Sequence, residues 1–136
     1  MPFVVDASVT ACWAFRDEEH PIADTALERL RTDEAMAPAL WWFEVRNILV
    51  VNERCKRLTE ADSAAFLRDL ARLRVLLDRT PHDSEVLRLA RTHRLSVYDA
   101  AYLELAQRNN VALATLDAEL IRAARAEQVA LVGESG

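Results

Sequence analysis

At 136 residues the chain has the size of one domain and can bury a core without disulfides or a structural metal. Hydrophobic residues make up 51% and charged residues 29%, with only two glycines, a balance that excludes disordered and collagen-like chains in favour of a compact, helix-rich domain. The formal net charge of −5 argues against a broad basic surface holding nucleic acid by charge alone, but leaves a nucleic-acid substrate open.

In chain order, PFVVD (2–6) reads as a short strand ending in an acid, and 8–15 as an apolar amphipathic helix. IADTALERLRTD carries Ile22, Ala26, Leu27 and Leu30 at helical spacing, and EAMAPA (34–39) is a strand stopped by Pro38. Two helical patterns, from Leu40 to about Arg54 and from Glu60 to about Arg72, read as a hairpin. Thr59 and Asp62 open the second in the manner of a capping box. RVLLD (74–78) is a third strand, and the helix after it can be capped by Asp83 or Ser84. LSVYDAAYLELA (95–106) is a further helix, ended by Asn109 and Asn110. VALAT (111–115) is a buried strand, Asp117 opens another helix, and VALV (129–132) is the last strand. Strands alternating with helices predict an α/β fold, a mainly parallel sheet of about five short strands covered on both faces, with ligands beyond the carboxyl ends of the strands. The chain divides into one domain over 1–132 and a flexible C-terminal tail over 133–136.

No apolar run approaches the roughly 20 residues of a membrane span, and MPFVVDAS meets a charge too early for a signal peptide. A cytoplasmic protein is expected, with no membrane partner. Cys12 and Cys55 form no CxxC pattern and read as reduced, partly buried thiols without a role. His20, His82 and His93 show no metal-ligand spacing and read as isolated, exposed side chains. Lys56 is the single lysine. The arginines that carry the remaining positive charge suit phosphate and carboxylate partners, although genomic base composition explains the bias equally well.

Four acids stand out. Asp99 shares a helix face with Leu95, Tyr102, Leu103 and Ala106, and Glu44 shares one with Leu40, Trp41, Ile48 and Val51. A carboxylate aimed at a core costs several kcal/mol unless cations or donors offset it, by about the effective desolvation penalty of a buried ion. Asp6 and Asp117 fall just past the ends of their strands. Each acid also has an ordinary reading: Asp6 and Asp117 can cap the following helices, Glu44 can pair with Arg46 or Asn47, and Asp99 with Arg94 or Arg91. Their convergence points further. Like charges held close raise one another's pKa unless a multivalent cation balances them, and Mg²⁺ or Mn²⁺ does so with carboxylate oxygens and water. The chemistry that follows is phosphodiester hydrolysis.

VVDASV (4–9), PALWWFEVRNIL (38–49), LSVYDAAYLELA (95–106) and LATLDAELIRAA (113–124) together resemble the PIN-domain ribonucleases, and within them the VapC-like toxins of bacterial toxin–antitoxin pairs. The resemblance covers essentially residues 2–132. It implies a three-layer α/β/α PIN-like domain with a protruding helical hairpin, and a Mg²⁺- or Mn²⁺-dependent endoribonuclease. The catalytic, metal-holding quartet falls on Asp6, Glu44, Asp99 and Asp117, with Ser8 and Thr115 at supporting hydroxyl positions. It also implies an RNA substrate, a homodimer, and a cognate antitoxin lying in a groove near the 40–72 hairpin. Trp41, Trp42 and Phe43 are candidate anchors there, unless they fill the core or the dimer seam; Trp42 is the more exposed candidate. A haloacid-dehalogenase-like phosphatase would need a second Asp where Ser8 stands, and both it and a receiver domain lack their lysine. The alternative from another class is a catalytically silent PIN-fold binding module whose acidic pocket captures a partner arginine.

Overall fold

The computed structural model describes residues 1–15 and 20–134. The elements run β1 (Phe3–Val5), α1 (Ala7–Cys12), α2 (Pro21–Arg29), β2 (Ala35–Pro38), α3 (Leu40–Arg54), α4 (Glu60–Ala71), β3 (Val75–Asp78), α5 (Asp83–His93), α6 (Val97–Asn109), β4 (Ala112–Ala114) and α7 (Ala118–Ala126). The strands form one sheet in the order β3-β2-β1-β4, every pairing parallel. Phe3 lies opposite both Ala35 and Ala112, so β1 is covered on both edges. All three of its residues are buried, as expected of a parallel strand packed on both faces.

The period of two along β1 divides the core. Phe3 and Val5 pack with Val9 of α1 and with Ala23 and Ala26 of α2. Val4 faces the other way, into a larger cluster with Trp41 of α3, Leu89 of α5, Leu103 of α6 and Leu120 of α7. These two clusters are the layers of an α/β/α domain.

Local chemistry sets the helix ends. Thr59 and Asp62 form the expected capping box, each side chain meeting the other's backbone N–H at 3.0 and 2.9 Å. Asn110 ends α6 in the left-handed conformation, where the small polar side chain is tolerated. Pro21 opens α2, where its missing N–H costs nothing.

Several expectations are corrected. The 129–132 segment contributes only a parallel bridge between Leu131 and Leu113, so the described residues form a sheet of four strands. The Ala130 carbonyl accepts from Leu113 N–H and Val132 N–H donates back to the Leu113 carbonyl, after which Gly133 at φ +94° turns the chain away. Neither Asp83 nor Ser84 caps α5; the cap position is His82, with no side-chain hydrogen bond. Cys12 is partly buried but Cys55, beyond the end of α3, is exposed. His93 is buried, its Nε2 2.7 Å from a Glu127 oxygen. Of the 133–136 tail, 135–136 lie outside the described residues, and Glu134 is paired with Arg125. Among the described residues no helix is long and apolar enough to cross a membrane.

Candidate functional site

The site begins where β1 and β4 end. Asp6 N–H donates to the Ala114 carbonyl at 3.1 Å, which ties the two strand ends together. Asp6 then caps α1: Oδ1 accepts from Val9 N–H at 3.0 Å and from the Ser8 hydroxyl at 2.7 Å, while Oδ2 accepts from the Thr115 hydroxyl. Ser8 Oγ also accepts from Leu116 N–H at 3.0 Å, and Thr115 Oγ1 from Asp117 N–H at 3.0 Å. Two short hydroxyl side chains thus hold the two strand-end acids on a common frame. Asp117 caps α7 through Leu120 N–H at 2.9 Å. The capping reading of both acids is therefore realised, and it coexists with their convergence on one sheet end.

Glu44 comes from the second turn of α3, which follows β2, and Asp99 from the first turn of α6, whose cap is Ser96. Around Asp99 the expected stripe is present, with Leu95, Tyr102, Leu103 and Ala106 all buried. Around Glu44 it is incomplete, because Trp41 is buried but Val51 is exposed. Trp41 packs α3 onto α1 and donates its indole N–H to Thr10 Oγ1 at 2.9 Å. The Thr10 hydroxyl in turn donates to the Asp6 carbonyl at 2.9 Å. This chain braces the Glu44 helix against the first turn after β1.

Among the described residues no ion pair reaches any of the four acids. Arg46 does not meet Glu44; its guanidinium lies over the Trp42 ring at 3.8 Å. Glu44 Oε1 instead accepts from the buried Tyr102 hydroxyl at 2.5 Å. Tyr102 was not among the sequence candidates, although its place one turn after Asp99 on the same face was a usable signal. Trp41 is buried and so cannot anchor a partner, whereas Trp42 and Phe43 are exposed and meet edge to face at 4.9 Å; Phe43, and not Trp42, is the more exposed of the two.

Electrostatics follow from this arrangement. Burial pushes the Asp6 carboxyl above its ordinary value, opposed by the Thr115, Ser8 and Val9 hydrogen bonds and reinforced by the Asp117 charge. Burial also raises Glu44, against the Tyr102 bond and with the Asp6 and Asp99 charges adding to the rise. Asp99 is raised by burial and then by Asp117. Asp6, Glu44 and Asp99 thus each sit in the negative field of at least one other of the four acids. As a donor set they offer hard oxygen ligands only, which suits Mg²⁺, Mn²⁺ or Ca²⁺ over softer metals. Among the described residues no three His, Cys, Asp or Glu side chains stand close enough to hold an ion as they are.

The sequence profile of the PIN domain matches residues 3–126. Among solved structures, PAE2754 from Pyrobaculum aerophilum superposes with a TM-score of 0.70 at 26% identity, over 90% of this chain and 84% of that one. FitAcB from Neisseria gonorrhoeae superposes at 0.56 with 18% identity over 96% of each chain, a likeness of fold. No curated protein sequence matches the chain.

Proposed function

The chain belongs to the PIN domain family, and from that premise we propose that it is an endoribonuclease, the toxin of a VapBC-type toxin–antitoxin pair. In this reading it hydrolyses RNA phosphodiester bonds with Asp6, Glu44, Asp99 and Asp117 around Mg²⁺ or Mn²⁺. PIN domains are generally nucleases that use divalent metal ions. The observation that carries the reading for this chain is the pocket itself: four carboxylates from four elements at one sheet end, none with a guanidinium partner among the described residues. A cluster of one buried and three half-buried carboxylates without a protein cation calls for one from solution.

When bound, such a cation acidifies water and offsets charge on the scissile phosphate. The chain's own residues prepare for that. Asp6, held by three donors, keeps an oriented carboxylate despite its burial. Ser8 and Thr115 are supporting groups that join the two strand ends. Asp99 and Asp117 sit at the starts of helices, where the positive end of the backbone dipole tempers their charge. As they stand the four acids form no ready three-ligand cluster, so holding a cation would require their side chains to rearrange.

The cognate antitoxin is the expected protein partner and a homodimer the expected assembly. A groove of about 1000 Å³ between α4 and the end of α1, walled by Trp13, Leu58, Phe66 and Leu73 and edged by Asp24, Arg57, Asp62 and Asp69, is the candidate bed for an extended antitoxin segment, and none of Trp41, Trp42 and Phe43 lines it.

Purified, partner-free protein tests the reading. RNA cleavage should require Mg²⁺ or Mn²⁺, stop with EDTA, and be lost in Asp6→Asn and Asp99→Asn; cleavage that persists in EDTA overturns it. Sequencing the RNA ends then identifies the target. The spacing of the acids favours a second reading, a silent binding module that closes its pocket on a partner arginine. Absence of any Mg²⁺ or Mn²⁺ thermal shift in the free protein selects that module.

A further inference from the structure

We infer that Tyr102 is a positioning residue for Glu44: its hydroxyl grips one carboxylate oxygen and leaves the other for a ligand. The inference rests on the proposed acid site and names a residue that site requires. Tyr102 is 1% exposed, and its Oη lies 2.5 Å from Glu44 Oε1, joining α6 to α3 across 58 residues of sequence. A buried phenol needs an acceptor, and a core position of this kind is ordinarily filled by an apolar ring. Here the acceptor is itself one of the four acids.

The consequence is geometric. Glu44 has three rotatable side-chain bonds, and among the described residues no backbone donor fixes its head as Val9 fixes Asp6 and Leu120 fixes Asp117. The Tyr102 hydroxyl supplies that restraint. Because Tyr102 and Asp99 lie one turn apart on α6, the helix that presents one acid also sets the direction of the acid opposite. A hydroxyl spends its single proton on one oxygen, so the second Glu44 oxygen stays available to a ligand.

The test is Mn²⁺ binding by isothermal titration to the purified full chain, comparing wild type, Tyr102→Phe, Glu44→Gln and the double variant. Tyr102→Phe should bind Mn²⁺ about tenfold more weakly, as outer partners of metal ligands generally do when removed. The metal-free melting temperature should fall, because a buried hydroxyl bond to a carboxylate is lost, so the titrations are run well below the transitions of all four proteins. In the Glu44→Gln background the same change should cause no further loss, because Tyr102 acts through Glu44. Unchanged affinity in Tyr102→Phe, or losses that add in the double variant, overturn the inference while leaving the acid site standing. A wild type that binds no Mn²⁺ overturns both. A measurement independent of that variant's folding uses 3-fluorotyrosine in a Tyr98→Phe background, which leaves Tyr102 as the single tyrosine. Its ¹⁹F resonance should shift on Mg²⁺ addition and stay still in Glu44→Gln; no shift in the parent overturns the inference.

Discussion

Thr115 donates its hydroxyl proton to Asp6 across 109 residues of sequence and accepts, on the same oxygen, the backbone N–H of Asp117 at 3.0 Å. One buried hydroxyl therefore serves both strand-end acids. Thr115→Val keeps the shape but leaves the Asp6 carboxylate short of a donor and adds a methyl where Asp117 N–H pointed. It should cost about 1.5–3 kcal/mol, the range for a hydrogen bond to a charged group, read from urea denaturation at neutral pH. Thr115→Ser retains the hydroxyl and should lie much closer to wild type. Equal losses in the two variants would show that packing of the methyl, and not the hydroxyl, is what matters.

Asp99→Asn should abolish RNA cleavage without lowering the stability of the metal-free protein, and should raise its melting temperature at pH 7. The Asp99 carboxyl is held above its ordinary 3.8 by burial and then by Asp117. A raised acid favours the folded state fully below the unfolded value and loses that contribution as pH rises through the folded value. At neutral pH the wild type therefore carries a charge its surroundings disfavour, and the amide removes it. The difference in melting temperature should close below about pH 4, near the unfolded Asp value. A variant that unfolds more easily at pH 7 would instead mean that Asp99 is a structural ion.

Because Asp6, Glu44 and Asp99 are all raised, protons should compete with metal at higher pH than for ordinary carboxylates. Mn²⁺ affinity and metal-dependent cleavage should both fall as pH drops from 8 to 5. A cleavage rate that stays flat over that interval would separate the activity from these carboxylates.

The fold was largely legible because its elements are short and sharply punctuated. Thr59 and Asp62, Pro38, and the Asn109–Asn110 pair each mark a boundary through local chemistry alone, and the structure uses all of them. What failed had both local and distant causes. VALV has the composition of a strand, yet the turn at Gly133 limits it to one bridge. His93 looked isolated because Glu127, its partner, lies 34 residues away. The site divides in the same manner. Spacing marked Asp99 and Glu44 as acids on apolar faces, but the Tyr102 bond joins two helices, and no single-helix pattern encodes it. Glu104 went unnoticed although it is 2% exposed, because Arg108 on the next turn offsets its charge and reaches Asp78 as well.

Arg94 ends α5 at φ 55°, in the left-handed region, where a side chain other than Gly or Asn is strained. Left-handed backbone costs an ordinary residue about 1–2 kcal/mol, and glycine gives back about 0.5–1 kcal/mol of that through its greater unfolded entropy. Arg94→Gly should therefore stabilise the protein by about 0.5–1 kcal/mol in urea denaturation. No gain would mean that the Arg94 side chain makes contacts worth as much as the strain.

Glu127, just past the end of α7, gathers three elements. Its oxygens accept from Arg88 at 3.0 Å and Gln107 at 3.1 Å and lie 2.7 Å from His93 Nε2. Arg88 first, then His93, pull its carboxyl from 4.5 down to about 2. The sign is opposite to that of the acid pocket: a lowered acid contributes stability that is full above the unfolded value near 4.5 and is lost as pH falls toward 2. Glu127→Gln keeps the shape and removes the charge, so it should melt a few degrees below wild type at pH 7 and equally so at pH 5.5. The gap should then narrow through pH 4 and 3 as the wild-type carboxyl takes up its proton. Thermal melts across that series check it, and a gap that is constant with pH would assign the loss to hydrogen-bond geometry and not to charge.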